Sequence, residues 1–312
     1  MTEPFPWPLD QARAFLRSHG LPEGPLTEIS GQAWVNWVFL VGESHVLRIN
    51  RITVETDDAY TERVAVPAVR KAGIRTPELV VFDDSRSVID SVVTVYEQVE
   101  GRALGRLPWR LEGLREVYTE LGVEIARIQQ RVTEVDDPHG WLDEETVSDL
   151  GELVPEALES GKIEAVTAAW LEDWASRLDP AGASRGLMVF AHQDFHSFNL
   201  LVSGEPMRLN SVIDWGDAGW ADASCDFCSA PVWAVPWMIE GYEAEGGVVD
   251  EAFVGRILTE AVGTLLDWED HPGKEPWAPQ VSSFWANLVR LMAMDLDSRW
   301  SPWLPDFLPG VA

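Results

Sequence analysis

The residues from His192 to Asp214 combine the side chains and the spacing that phosphoryl transfer requires. The run His192-Gln193-Asp194-Phe195-His196-Ser197-Phe198-Asn199 holds a His-x-Asp with an Asn five residues after the Asp, and Asp214 closes an apolar run fifteen residues beyond that Asn. A hydroxyl attacking the terminal phosphate of a nucleotide needs a carboxylate to orient it and take its proton, and Asp194 is the candidate base. Magnesium is a hard cation that keeps several waters, so one carboxylate and one amide carbonyl from the protein suffice to hold it. Asn199 and Asp214 are the candidate ligands. His192 reads as a structural residue that braces the loop through hydrogen bonds. Asp222 and Asp226 read as capping and loop-bracing acids rather than ligands.

The elements around these residues have a matching logic. Leu200 to Val202 and Ser211 to Ile213 are two short apolar strands joined by Ser203 to Asn210, a turn with Gly204 and Pro206; such a hairpin would bring Asn199 and Asp214 to one end. The first hundred residues read mostly as strands: Pro25 to Gly31, Trp34 to Val41, His45 to Asn50, Glu78 to Phe82 and Val92 to Val99, with a helix after Asp57 and Asp58 that stops at Ala72-Gly73. Apolar spacing then predicts helices over Leu111 to Val132, Lys162 to Arg177, Glu251 to Trp268 and Ser282 to Asp297. The expectation is an α+β chain, with an antiparallel sheet and one helix over residues 1–100 and a larger, mainly helical part over 101–312, a nucleotide lying between them. Ser30 and Gly31 stand at a turn that reads equally as an approach to phosphates or as a plain hairpin turn. Arg48 alternates with apolar neighbours on its strand, and Glu62 on the following helix is placed to pair with it.

Composition narrows the partners. A formal net charge of −29 argues against nucleic acid or an anionic membrane surface. Residues 1–100 carry 15 acids and 9 bases, whereas residues 101–312 carry 37 acids and 14 bases; a cationic small molecule would be drawn to the later part, a reading weighed against charge that serves solubility alone. No apolar run reaches a membrane span, and the N-terminus lacks a basic head followed by an apolar core, so a cytoplasmic location is expected. The two cysteines, Cys225 and Cys228, form a C-x-x-C without a second pair to complete a zinc site, and they read as buried apolar thiols. Sixteen tryptophans are many for 312 residues. Trp233, Trp237, Trp268, Trp277, Trp285, Trp300 and Trp303 lie late in the chain and are read mainly as core. Glu269, Asp270, Asp295 and Asp297 are candidate partners for ammonium groups, each weighed against a plain solvated acid.

Together these residues resemble the aminoglycoside phosphotransferase family, the small-molecule branch of the protein-kinase-like fold, over roughly Leu26 to Tyr242. The family's loop is usually His-Gly-Asp-x-His-x-x-Asn, and its metal-binding Asp is often followed by Trp, as in Asp214-Trp215. The resemblance implies a bilobal enzyme that moves the terminal phosphate of ATP or GTP, with Mg2+, to a hydroxyl of an aminoglycoside-like antibiotic. Asp194 would be the base, Asn199 and Asp214 the magnesium ligands, and Arg48 with Glu62 the phosphate-positioning pair. Glu97, Gln98 and Val99 would form a hinge whose backbone reads the base, and Leu121 to Ile128 the helix before the catalytic loop. Gln193 stands where Gly is common, and Ser197 and Phe198 where Pro-Gly is frequent. Asn199 leans against a macrolide acceptor, because macrolide kinases often carry His there. A metabolic kinase acting on an amino alcohol, homoserine or a sugar is the alternative within enzymes, and a nucleotide-binding pseudokinase scaffold the alternative outside them.

Overall fold

Apolar residues at every second position of Asn36–Val41 and His45–Asn50 have to be buried on one side of a sheet. The computed structural model, which describes residues 5–29, 35–51, 57–107, 113–183, 185–268 and 284–308, shows how. By contact the chain divides into two units: Met1–Glu100 with Val135–Trp141 and Ser211–Gly216, and Gly101–Glu134 with Leu142–Asn210 and Asp217–Ala312.

In the first unit β1 (Leu26–Glu28), β2 (Asn36–Val41), β3 (His45–Asn50), β4 (Leu79–Asp83) and β5 (Val93–Glu97) form one antiparallel sheet in the order β1-β2-β3-β5-β4. Trp37, Phe39, Leu47, Ile49, Val93 and Val95 make its buried face. A helix that was not expected, α1 (Leu9–Ser18), covers that face with Ala12, Phe15 and Leu16, while Phe5 and Trp7 set their rings edge-on to Trp37. Its 3–4 spacing is short and follows two prolines, Pro6 and Pro8, which read as loop. The helix α2 (Asp58–Lys71) has Asp57 at its N-cap, but the Asp57 side chain makes no capping hydrogen bond, contrary to expectation. Asp58 lies in the first turn instead, where its charge suits the helix dipole.

The second unit is built on helices. The helix α3 (Leu114–Arg131) crosses α6 (Val235–Ala244) through glycines on both sides: a Cβ on Gly122 would stand 1.8 Å from the Met238 carbonyl oxygen, and one on Gly241 1.9 Å from that of Thr119. The helix α4 (Leu150–Glu159) was missed because Pro155 interrupts its pattern, and α5 (Ala165–Ala183) starts later and runs further than expected. Two more, α7 (Phe253–Trp268) and α8 (Phe284–Met292), fall inside their expected ranges. Trp170 and Trp174 of α5 donate from Nε1 to the carbonyls of Phe307 and Trp303, strapping the late chain to the helix. Trp233 and Trp300 are buried, Trp237, Trp285 and Trp303 half-buried; Trp277 and the Trp268 side chain lie outside the described residues.

Three short strands and a hairpin-like pair carry the loops of interest. β6 (Arg102–Ala103), β8 (Leu200–Ser203) and β9 (Arg208–Val212) form a sheet in the order β6-β8-β9, and β7 (Met188–Ala191) pairs antiparallel with β10 (Gly219–Asp222), Ala191 opposite Gly219. β9 begins three residues earlier than its apolar residues suggested, because Arg208 and Asn210 alternate with buried Leu209 as strand residues; Ile213 is left out. Arg208 is held by Glu120, which also accepts from the Leu209 N–H.

Candidate active site

In the first unit Arg48 joins two carboxylates. It leaves β3 on the face opposite Leu47 and Ile49, and its Nη1 donates to Glu62 Oε1 of α2 at 2.7 Å while Nη2 donates to Asp214 Oδ1 at 2.9 Å. The two nitrogens serve two acids at once, each from its own arm of the planar guanidinium fork. Tyr96 of β5, a partner not foreseen, donates its hydroxyl to Glu62 Oε2 at 2.6 Å. Burial disfavours the Arg48 charge, but Glu62 and Asp214 outweigh it and hold the guanidinium well above its ordinary range.

Asp214 is held by backbone as well as by charge. It has φ 69°, a left-handed conformation that Asp tolerates better than most residues. Beside it the buried Trp215 donates from Nε1 to Thr76 Oγ1 at 2.9 Å, and the Val212 N–H and Ser211 hydroxyl both donate to the Arg75 carbonyl. A Cβ on Gly216 would come within 2.7 Å of Asp58 Cβ, so the Asp-Trp-Gly order lets the segment pass against the start of α2.

At the hinge positions, the N–H groups of Glu97 and Gln98 donate to the carbonyls of Glu78 and Ser44. Two of the three residues expected to read a base therefore have their N–H donors committed within the unit. Ser30 and Gly31 lie outside the described residues.

In the second unit the loop after β7 is organised around a buried acid. Asp226, fully buried, accepts from the N–H groups of His192 and Gln193 at 2.8 and 3.0 Å on Oδ1 and from Gln129 Nε2 at 3.0 Å on Oδ2. Tyr242 donates to Gln129 Oε1 and completes the chain. Burial pushes the Asp226 carboxyl up to about 6, against the pull of its donors. This is the loop-bracing role expected of Asp226, and the structure shows which loop it braces. His192 is buried, stacks on Phe195 with centroids 4.3 Å apart, and accepts the Asp194 N–H on Nδ1 at 3.2 Å.

Asn199 Nδ2 donates to Asp194 Oδ2 at 2.8 Å and to the Asp194 carbonyl at 2.9 Å. The amide's donors thus face Asp194. His196 Nε2 lies 3.4 Å from the same Asp194 Oδ2, and its Nδ1 accepts the Phe198 N–H. Among the described residues no group of three or more His, Cys, Asp or Glu side chains could hold a metal ion by itself. Asn199 Oδ1 in the second unit and the Asp214 carboxylate in the first are each a hard oxygen donor of the kind that magnesium takes.

Other expected residues take quieter places. Cys225 and Cys228 are free thiols, Cys225 buried and pushed well up by burial and Cys228 pushed up to about 12. Asp222 is enclosed by Arg256 Nε, the Ser224 hydroxyl and the Gly186 N–H. Asp297 is paired with Arg299 and Asp295 is exposed; Glu269 and Asp270 lie outside the described residues. Among the described residues no helix is long and apolar enough to cross a membrane.

An antiparallel sheet crossed by an Arg–Glu pair, followed by a helical part with a His-x-Asp loop and a strand-borne Asp, defines a protein-kinase-like α+β chain with the parts of a phosphotransferase. The profile of the phosphotransferase enzyme family matches residues 26–260, and the chain belongs to that family of enzymes acting on small-molecule hydroxyls. No curated protein sequence matches. Among solved structures, it is similar to a choline/ethanolamine kinase family protein from Mesorhizobium loti (TM-score 0.61, 20% identity, 95% of this chain and 97% of that one). It is also similar to APH(2")-IIia in complex with GDP and kanamycin (TM-score 0.63, 13% identity, 91% and 98%). A third is the macrolide 2'-phosphotransferase MphH from Brachybacterium faecium (TM-score 0.62, 18% identity, 93% and 99%). At these identities the likeness is one of fold.

Proposed function

We propose that the enzyme is a magnesium-dependent kinase that moves the terminal phosphate of ATP or GTP to a hydroxyl of a cationic, aminoglycoside-like acceptor. The observation that carries the reading is the Asp194 carboxylate, held on one oxygen by Asn199 within a loop anchored on buried Asp226. Asp194 orients the acceptor hydroxyl and takes its proton. Asn199 and Asp214 would hold magnesium, which would supply charge neutralisation at the nucleotide phosphates. Arg48, kept in place by Glu62 and Tyr96, is directed at the nucleotide phosphates, and the Val99 N–H at the base.

A cationic acceptor is supported by the second unit's charge. Burial, with Glu145 and Asp222 nearby, holds Glu260 above the ordinary carboxylate range despite hydrogen bonds from Ser148. Such a crowded acid gains by meeting an ammonium group. The segment that carries Glu145 pairs with β10 through Trp220, and Asp143 and Gln193 both approach Gly219.

A screen of magnesium ATP and magnesium GTP against kanamycin-like aminoglycosides, macrolides, choline, ethanolamine and homoserine, read by thermal shift and by phosphorylated product, tests this reading. The expected outcome is acceptor-dependent product and a raised melting temperature with an aminoglycoside. Product only with choline or ethanolamine would replace the acceptor class, and nucleotide binding without any turnover would replace the kinase assignment with a scaffold.

A further inference from the structure

Gln193 departs from the glycine common in loops of this pattern, yet it keeps a glycine's backbone: its φ of 68° is one that side-chain-bearing residues rarely adopt. Three tethers hold it there. The Gln193 N–H donates to Asp226 Oδ1 at 3.0 Å, its carbonyl accepts from the Ser229 hydroxyl at 2.8 Å, and its Nε2 donates to the Asp217 carbonyl at 3.0 Å. A glycine would retain the first two. The third belongs to the side chain alone, and room for it exists because residue 219 is a glycine, whose Cβ would otherwise stand 3.2 Å from Gln193 Nε2.

We propose that Gln193 is a positioning residue for the reaction. Its side-chain amide ties the loop carrying Asp194 to the segment three residues beyond Asp214, so that the direction of the Asp194 carboxylate is set by a bond that glycine at this position cannot make. The inference rests on the reading of Asp194 as the base. Unfavourable backbone geometry maintained by several contacts at a reacting loop is the kind of strain that positions a group.

Three substitutions test it. Gln193→Glu keeps the length and removes the donor, Gln193→Gly relieves the backbone and removes the side chain, and Gln193→Lys keeps a donor of sufficient reach. With magnesium nucleotide and the best acceptor of the panel above, the Glu and Gly enzymes are expected to lose on the order of tenfold or more in kcat with an unchanged nucleotide KM. The Lys enzyme should recover most of that loss, and the Gly enzyme should melt at or above the wild-type temperature. Wild-type kcat in the Glu and Gly enzymes, or a Lys enzyme as impaired as the Glu one, would overturn the proposal. Amide hydrogen exchange at Asp194 gives a readout that needs no turnover. Faster exchange in the Glu and Gly proteins supports the tether even where wild type transfers no phosphate, a result that would instead remove the base assignment; unchanged exchange overturns the tether.

Discussion

One cluster in each unit, around Arg48 and around the His192–Asn199 loop, holds its carboxylates by different means. In the first, Glu62 and Asp214 are met by one charged donor, Arg48, so the cluster carries its own countercharge. In the second, buried Asp226 accepts from the Gln129 amide and the backbone N–H groups of His192 and Gln193, and Asp194 accepts from the Asn199 amide with His196 Nε2 3.4 Å from the same oxygen. A guanidinium cancels a carboxylate's charge, whereas an amide aims it and leaves the charge in place. The first arrangement suits a rigid framework in which charge is balanced internally. The second leaves acids able to take a proton or attract an ammonium group.

The largest effects should separate these two arrangements. Asp194→Asn keeps size and the hydrogen-bonded outline, and is expected to lower kcat by about 10²- to 10⁴-fold while the melting temperature and nucleotide affinity stay near wild type. Glu62→Ala leaves Arg48 without its closer partner and is expected to destabilise the fold by about 3–5 kcal/mol in urea unfolding, as broken buried pairs do. Asp194→Asn with wild-type turnover, or Glu62→Ala with wild-type stability, would erase the distinction.

How much of this could be read from the chain depended on how local each determinant is. β3 with its alternation around Arg48, and α2 with Glu62, were legible because periodicity reports which face a side chain occupies. The Arg48–Glu62 pair followed from that reading. Its third and fourth members, Tyr96 and Asp214, did not, since they come from 34 and 152 residues beyond Glu62 and no spacing rule links them. The His192–Asn199 run announced itself by composition, whereas its anchor on Asp226 and Gln129 is set by packing of α3 against the turn after β10. Elements interrupted by proline, α1 at its entry and α4 at Pro155, were missed because proline is a local signal that tertiary packing overrode. Gln193 was noticed as a departure from glycine, but only the backbone shows that it adopts glycine's conformation.

A smaller effect tests the anchoring of the second loop by neutral donors. Asp226→Asn places a donor where the carboxylate received three, and should cost about 1–3 kcal/mol at pH 7. The effect has a pH signature. The Asp226 carboxyl is raised in the fold to about 6 from an ordinary value of 3.8. Its contribution to stability is therefore complete below the ordinary value and is lost as pH rises through about 6, because the folded protein then gives up a proton it had held more tightly than the unfolded chain. Urea unfolding of wild type and Asp226→Asn from pH 4.5 to 7.5 should show the wild-type advantage shrinking as pH rises; a constant advantage would mean that the donors hold the charge as easily as water does.

The smallest effect concerns the charge that the second unit leaves uncancelled. Glu260 has Glu145 nearby, and Asp222, itself paired with Arg256, further off; its own partner in the fold is the neutral Ser148 rather than a base. If that crowding serves a polycationic acceptor, its attraction is a sum of long-range terms screened by salt, so acceptor KM should rise several-fold between about 50 and 500 mM salt. Glu260→Gln removes one term of that sum. It should raise acceptor KM about two- to fivefold at low salt, as expected for a single partly exposed ion pair, and flatten the salt dependence while kcat holds. Arg48→Lys offers the contrast, because it alters a pair neutralised within the fold and should change nucleotide KM with little effect on the salt dependence of the acceptor. A Glu260→Gln enzyme whose acceptor KM follows salt as steeply as wild type would show that the negative charge of this unit acts on solubility alone.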